Sequence, residues 1–157
     1  MPARLDWPSV IGNFLLNYGT LDYLVFVFLK DNLPPDQFKS VRKQHFKDRI
    51  NRIQKHLEES KRPAEELAAF ANMVERLEPI RVLRNHIAHG HMYCRFDLES
   101  KKFAVTVLKA AHVDTGFLPE SKHVEFKELV NGLTTLSELV GKFQELAGFD
   151  VRGGGGE

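Results

Sequence analysis

Cysteine is almost missing from this chain. Cys94 stands alone among 157 residues, which excludes an internal disulfide and a thiolate metal cage. Charge of one sign is missing too: Lys and Arg number 22 against 21 Asp and Glu, a formal net charge of +1. No global field therefore draws the protein to nucleic acid or to an anionic surface, and polyanion binding has to come from a local patch. Long apolar runs are also lacking. The longest, Tyr23 to Leu29, falls far short of the ~18 residues a membrane-spanning helix needs, and Asp22, Asn17 and Asn13 interrupt what precedes it. No transmembrane segment and no membrane partner are expected. Met1-Pro2-Ala3-Arg4-Leu5-Asp6 has no apolar stretch after its basic residue, which speaks against a secretory signal and for a cytoplasmic setting. What is present is a hydrophobic content of 43%, enough for one domain with a real core.

The apolar residues are arranged mainly at helical spacing. From Trp7 to Asp31, Val10, Ile11, Phe14, Leu15, Tyr18 and Leu21 recur every three or four positions and merge into Tyr23 to Leu29; this second half is apolar on every side and has to be covered by a core or a second subunit. Asn32-Leu33-Pro34-Pro35-Asp36 breaks that helix, with Asp36 suited to cap the next. A second helix is expected to about Ser60 on the stripe Phe38, Val41, His45, Phe46, Ile50, Ile53 and Leu57. Pro63 then suits the first position of a third helix, which Pro79 should kink or split and Gly90 should end as a left-handed stop.

The period then changes to two. Met92, Cys94, Phe96 and Leu98 alternate with Tyr93, Arg95 and Asp97, and Phe103, Val105 and Val107 follow after the turn Glu99-Ser100-Lys101-Lys102, the pattern of a β-hairpin. His112 to Ser121 reads as a loop, and a last helix is expected from about Val124 to Ala147. The fold class is thus mostly α: a four- to five-helix up-and-down bundle with one inserted β-hairpin, as a single domain over residues 1–149, followed by a flexible Gly-rich tail at 150–157. Cys94 falls on the apolar side of the hairpin, and Trp7, Tyr18, Tyr23 and the phenylalanines lie on helical stripes, so they read as core, not as nucleophile or base-stacking platforms.

Polar chemistry concentrates in one place. Arg84-Asn85-His86-Ile87-Ala88-His89-Gly90-His91 gathers a guanidinium, a carboxamide and three imidazoles at the end of the third helix. Arg clamps phosphate bidentately, and His moves protons near neutrality. Cutting RNA without a metal needs a base for the 2′-hydroxyl, an acid for the leaving 5′-oxygen and positive charge at the phosphate. His89 suits the proton transfer and Arg84 the clamp. Asn85, four residues before His89, shares its helix face and is positioned to orient the imidazole. Arg84, five residues away at ~100° each, lies about 140° round from His89, so the two meet only if the helix end unwinds or a second chain contributes. Two other readings use the same residues. The imidazoles of His86, His89 and His91 suit the carbonyl end of a helix, with Arg84 in a salt bridge; they also suit zinc, for which the local sequence offers no fourth ligand.

With these residues the chain resembles the HEPN superfamily, small helical bundles whose RNase members carry Arg, a polar residue and then His after four to six intervening residues. The resemblance covers roughly Trp7 to Ala147. Arg49 to His56, Arg81 to His86 and Arg84 to His91 satisfy the bare spacing as well; position at the end of the third helix selects Arg84, Asn85 and His89. The resemblance implies a homodimer whose paired sites cleave RNA without a metal or other cofactor and leave a 2′,3′-cyclic phosphate. Arg84 and His89 would be catalytic and Asn85 supporting. It also implies a toxin or defence role with an antitoxin partner. In some members a partner nucleotidyltransferase modifies a tyrosine two residues after the His; here that position is His91, with Tyr93 two further on. The alternative is a non-catalytic HEPN-like module that binds RNA or a nucleotide, or only dimerises. From Asp36 to Arg62 basic residues outnumber acids nine to four, a basic face that either tracks an RNA backbone or is merely solvated. Arg42, Lys43 and Lys47 there, with Arg81, His86 and His91 near the cluster, are the candidate RNA contacts.

Overall fold

The computed structural model describes residues 6–97, 99, 102–113 and 116–148. It is a mostly α bundle of five helices with a β insertion before the last. The helices are α1 (Trp7–Asn32), α2 (Pro35–Val41), α3 (Phe46–Glu59), α4 (Ala64–His89) and α5 (Phe126–Ala147), with β1 (His91–Asp97), β2 (Lys102–Val113) and β3 (Gly116–Val124) between α4 and α5. The chain divides into two compact units, residues 1–16 with 78–136 and residues 17–77 with 137–157.

In the first unit, Asp6 caps α1: its carboxylate accepts the Ser9 amide at 2.8 Å, which holds the Asp6 carboxyl below the usual carboxylate range. Trp7 packs edge-on against Phe126, with ring centroids 5.0 Å apart. Gly132 lets α5 approach its neighbours closely, since a Cβ there would meet Leu83 Cδ2 and Phe14 Cε2 at 3.3 Å. The three strands form one antiparallel sheet in the order β1-β2-β3, with Cys94 opposite Val105 and Val105 opposite Val124. Val105 and Val124 are fully buried, so this register position marks the sheet's covered face; the side chain of Cys94 lies outside the described residues.

Lys102, expected in the hairpin turn, opens β2 and pairs with Asp97; of the other expected turn residues Glu99 lies in a turn, and Ser100 and Lys101 lie outside the described residues. Within the expected loop over His112 to Ser121 the described residues are strand: β2 continues to Val113, and β3 pairs with it from Gly116 to Val124, while Asp114 and Thr115 lie outside the described residues. Pro119-Glu120-Ser121-Lys122 shows no apolar alternation, and an edge strand tolerates both that and a proline. Val124 closes β3 instead of opening the last helix, and the Glu125 carbonyl accepts the first amide of α5, from Leu129.

In the second unit, α1 buries Leu21, Leu24, Val25, Phe28 and Leu29. Tyr18 meets Phe46, Phe26 meets Phe38, and Phe28 meets both His56 and Phe143, all at ring-centroid separations of 5.1 to 6.0 Å. By length and composition alone α1 suffices to cross a membrane, with a window of mean hydropathy 1.3. Core helices meet the same criterion, and an average tolerates the polar residues that interrupt an uninterrupted run.

Four local expectations are corrected. The second helix is two, α2 and α3, because Arg42-Lys43-Gln44-His45 offers no apolar anchor; the break brings Phe46, Ile50, Ile53 and Leu57 into a new phase and leaves His45 exposed at the start of α3. Asp36 is not a cap: Pro34 holds that position, Pro35 follows at the helix start, and Asp36 sits in the first turn. Of the kink or split expected at Pro79 the split is excluded, since α4 is one helix of 26 residues with Pro79 inside it. Gly90 ends it without a left-handed turn; its amide bonds to the His86 carbonyl at 2.8 Å, and among the described residues the positive-φ glycine is Gly148, after α5.

Candidate functional site

The C-terminal turns of α4 build the site. Ile80, Leu83 and Ile87 are buried to within a few per cent, so they anchor one face of the helix in the core. The opposite positions then turn outward: Arg84, Asn85 and His86 are half-buried and His89 is exposed. Helical geometry persists to His89, and His91 already belongs to β1, where it pairs with Leu108.

Arg84 and His89 meet without any unwinding. Arg84 Nη1 lies 3.4 Å from His89 Nε2 and 3.1 Å from Asn85 Oδ1. The rotation of about 140° between the two Cα positions is real, but the long arginine stem crosses it. That reach is what an argument from Cα angles leaves out. A guanidinium only donates hydrogen bonds, so the contact presents the Nε2 lone pair of His89 to Arg84 and puts the imidazole proton on Nδ1. The arrangement suits a proton acceptor once the guanidinium moves onto a phosphate and releases the lone pair.

Asn85 takes a different part from the one its spacing suggests. Its carbonyl oxygen accepts from Arg84, so it steers the guanidinium, which in turn meets the imidazole. His86 is turned to the helix itself: its Nδ1 donates to the Val82 carbonyl at 2.9 Å, one turn back inside α4 and not one of the unpaired carbonyls at the helix end that it was expected to cap. Arg81 is clamped by Glu78, through Nε at 2.9 Å and Nη2 at 2.6 Å, so much of its charge is neutralised locally. Glu78 is thus a member of the cluster that the motif did not include, although its spacing of three residues from Arg81 was visible in the sequence. The side chain of His91 lies outside the described residues, as does any zinc set that includes it.

The remaining candidates belong to the second unit. Arg42 and Lys43 are exposed in the turn that joins α2 to α3, and Lys47 is exposed in the first turn of α3.

No protein-family model matches the chain, and no curated protein or solved structure matches it. The function has to be argued from the side chains.

Proposed function

We propose that the chain is a HEPN-like, metal-independent endoribonuclease that acts as a homodimer, with Arg84 and His89 as catalytic residues and Asn85 as the positioning residue for Arg84. The observation that carries this reading is the 3.4 Å approach of Arg84 Nη1 to His89 Nε2 at an exposed helix end. An imidazole lone pair and a guanidinium side by side are the pair that 2′-hydroxyl attack on a phosphodiester requires. In the reaction, Arg84 shifts from His89 onto the phosphate, which frees the Nε2 lone pair to remove the 2′-hydroxyl proton, and O2′ bonds to phosphorus. The bond from phosphorus to the 5′-oxygen breaks, and that oxygen takes a proton from a second imidazole. The products are a 2′,3′-cyclic phosphate and a 5′-hydroxyl. Arg84 stabilises the extra charge on the phosphoryl oxygens.

His86 Nδ1 is engaged with a backbone carbonyl, so the second proton carrier is best supplied by His89 of another copy. A toxin or defence role with an antitoxin partner fits such a nuclease. The competing reading, a binding or dimerisation module, is favoured by the Asn85 and His86 hydrogen bonds, which tie both side chains to α4 itself.

The test is incubation with single-stranded RNA in EDTA. Wild type is expected to yield cyclic-phosphate ends, His89→Ala to lose about 10²- to 10⁴-fold in rate and Arg84→Ala about 10²- to 10³-fold. An RNA that stays intact, activity that vanishes in EDTA, or DNA cut as fast as RNA would remove the proposal.

A further inference from the structure

The basic face between Asp36 and Arg62 does not survive as a uniform surface. Arg49 pairs with Asp22, Arg52 and Lys55 both pair with Glu59, and Arg62 pairs with Glu66. These four cations are answered within the protein. Lys39, Arg42, Lys43 and Lys47 are not: all four are exposed, and none has an ion-pair or hydrogen-bond partner for its side chain among the described residues. They flank the turn from α2 to α3, and no acidic residue lies between Asp36 and Asp48. A nearly neutral protein therefore carries a compact corner of unanswered positive charge, which is the local patch that its net charge of +1 requires for polyanion binding.

From this we infer that the α2–α3 corner docks the phosphate backbone of a single-stranded nucleic acid, without reading its bases. The aromatic residues on either side decide the second part. Phe38 packs against Phe26, and Phe46 against Tyr18, so neither ring offers a stacking platform. The same fact argues against an anionic membrane as occupant: surface helices that bind lipid insert exposed large apolar side chains, and among the described residues the exposed ones are Leu16, Tyr23 and Val82, none of them on α2 or α3. Beside the corner, a groove of about 430 Å³ between α2 and α3 is lined by Ser40, Arg52 and Lys55 together with Glu59. Its two cations are held by Glu59 and, for Arg52, by Gln37 as well, so the unanswered charge stays at the corner itself. The strand passes over a ridge of four charges, each displacing condensed counterions when it meets a phosphate.

Counterion release makes the inference quantitative. A single strand contributes about 0.7 to the salt slope per neutralised phosphate, so four contacts give a slope of log K against log salt near −2.8. The probe is a fluorescent single-stranded DNA of mixed sequence, which lacks the 2′-hydroxyl and so separates docking from the cleavage proposed for Arg84 and His89. Wild type is expected to bind with that slope. The combined variant Lys39→Gln, Arg42→Gln, Lys43→Gln, Lys47→Gln should lose most of both affinity and slope, with its melting temperature held as the check on folding. Lys127→Gln with Lys142→Gln, two exposed lysines on α5, tests whether loss of positive charge away from the corner weakens binding and should bind like wild type. The inference is overturned by a wild-type slope near zero, by binding retained in the four-site variant, by an equal loss in the α5 control, or by equal binding of polyglutamate or anionic vesicles.

Discussion

At the residue scale, two kinds of residue report directly on their surroundings. His56 packs its ring against Phe28, and burial, reinforced by the Arg52 charge, holds its pKa below the ordinary histidine value. The unfolded chain therefore takes up this proton at a higher pH than the folded one does. Its stability contribution is complete above about pH 6.5 and declines as the pH falls below it. Chemical denaturation at pH 7 and pH 5.5 should show wild type losing more stability on acidification than His56→Gln; equal losses would contradict this account. Glycines give the second report. Gly132 has Leu83 and Phe14 carbons 3.3 Å from a built Cβ, whereas Gly141 on the same helix faces open space. Gly132→Ala should lower the melting temperature, because overpacking costs about 1–3 kcal/mol against the roughly 1 kcal/mol that Ala gains in a helix. Gly141→Ala should raise it, by about 0.5–1 kcal/mol of stability.

At the scale of elements, the ends of helices carry the unexpected chemistry. After α3, Arg62 N bonds to the Leu57 carbonyl and Lys61 N to the Glu58 carbonyl, the paired bonds of a Schellman cap. The residue in the left-handed position is Lys61, with φ of 50°, where glycine is usual. A side chain pays about 1–2 kcal/mol for that conformation, so Lys61→Gly should stabilise the fold by about 1 kcal/mol after glycine's greater unfolded-state freedom is counted. A denaturant midpoint that falls in this variant would show that the Lys61 stem packs productively. The break between α2 and α3 follows similar logic. A continuous helix would have placed His45 on the apolar stripe; a turn instead lets Phe46 reach Tyr18 and leaves Arg42 and Lys43 on the surface. Sequence periodicity found the apolar residues of both helices and missed the break, since Phe38 and Val41 lie one turn apart and Phe46 to Leu57 form their own regular series.

At the scale of the whole molecule, the proposed chemistry needs more imidazoles than one copy offers in the right place. If two copies share the work, specific RNA-cleaving activity should fall when the protein is diluted, in step with the loss of dimer in sedimentation; activity independent of concentration in a demonstrated monomer would defeat the paired site. How much of this protein was legible beforehand depends on the range of the interaction. The apolar spacings of α1, α4 and α5, the hairpin turn opposite Asp97 and Lys102, and the Arg84-Asn85-His89 cluster follow from neighbours close in the chain, so the sequence by itself determined them. It could not show that Pro119 sits in an edge strand, because that strand exists only through pairing with β2. Nor could it show that Arg84 reaches His89 across the helix, which depends on a flexible side chain's path and not on residue spacing. The basic face makes the same point: Asp22 cancels Arg49 across 27 positions of sequence, and only the tertiary fold decided which charges were answered and which were left to face solvent.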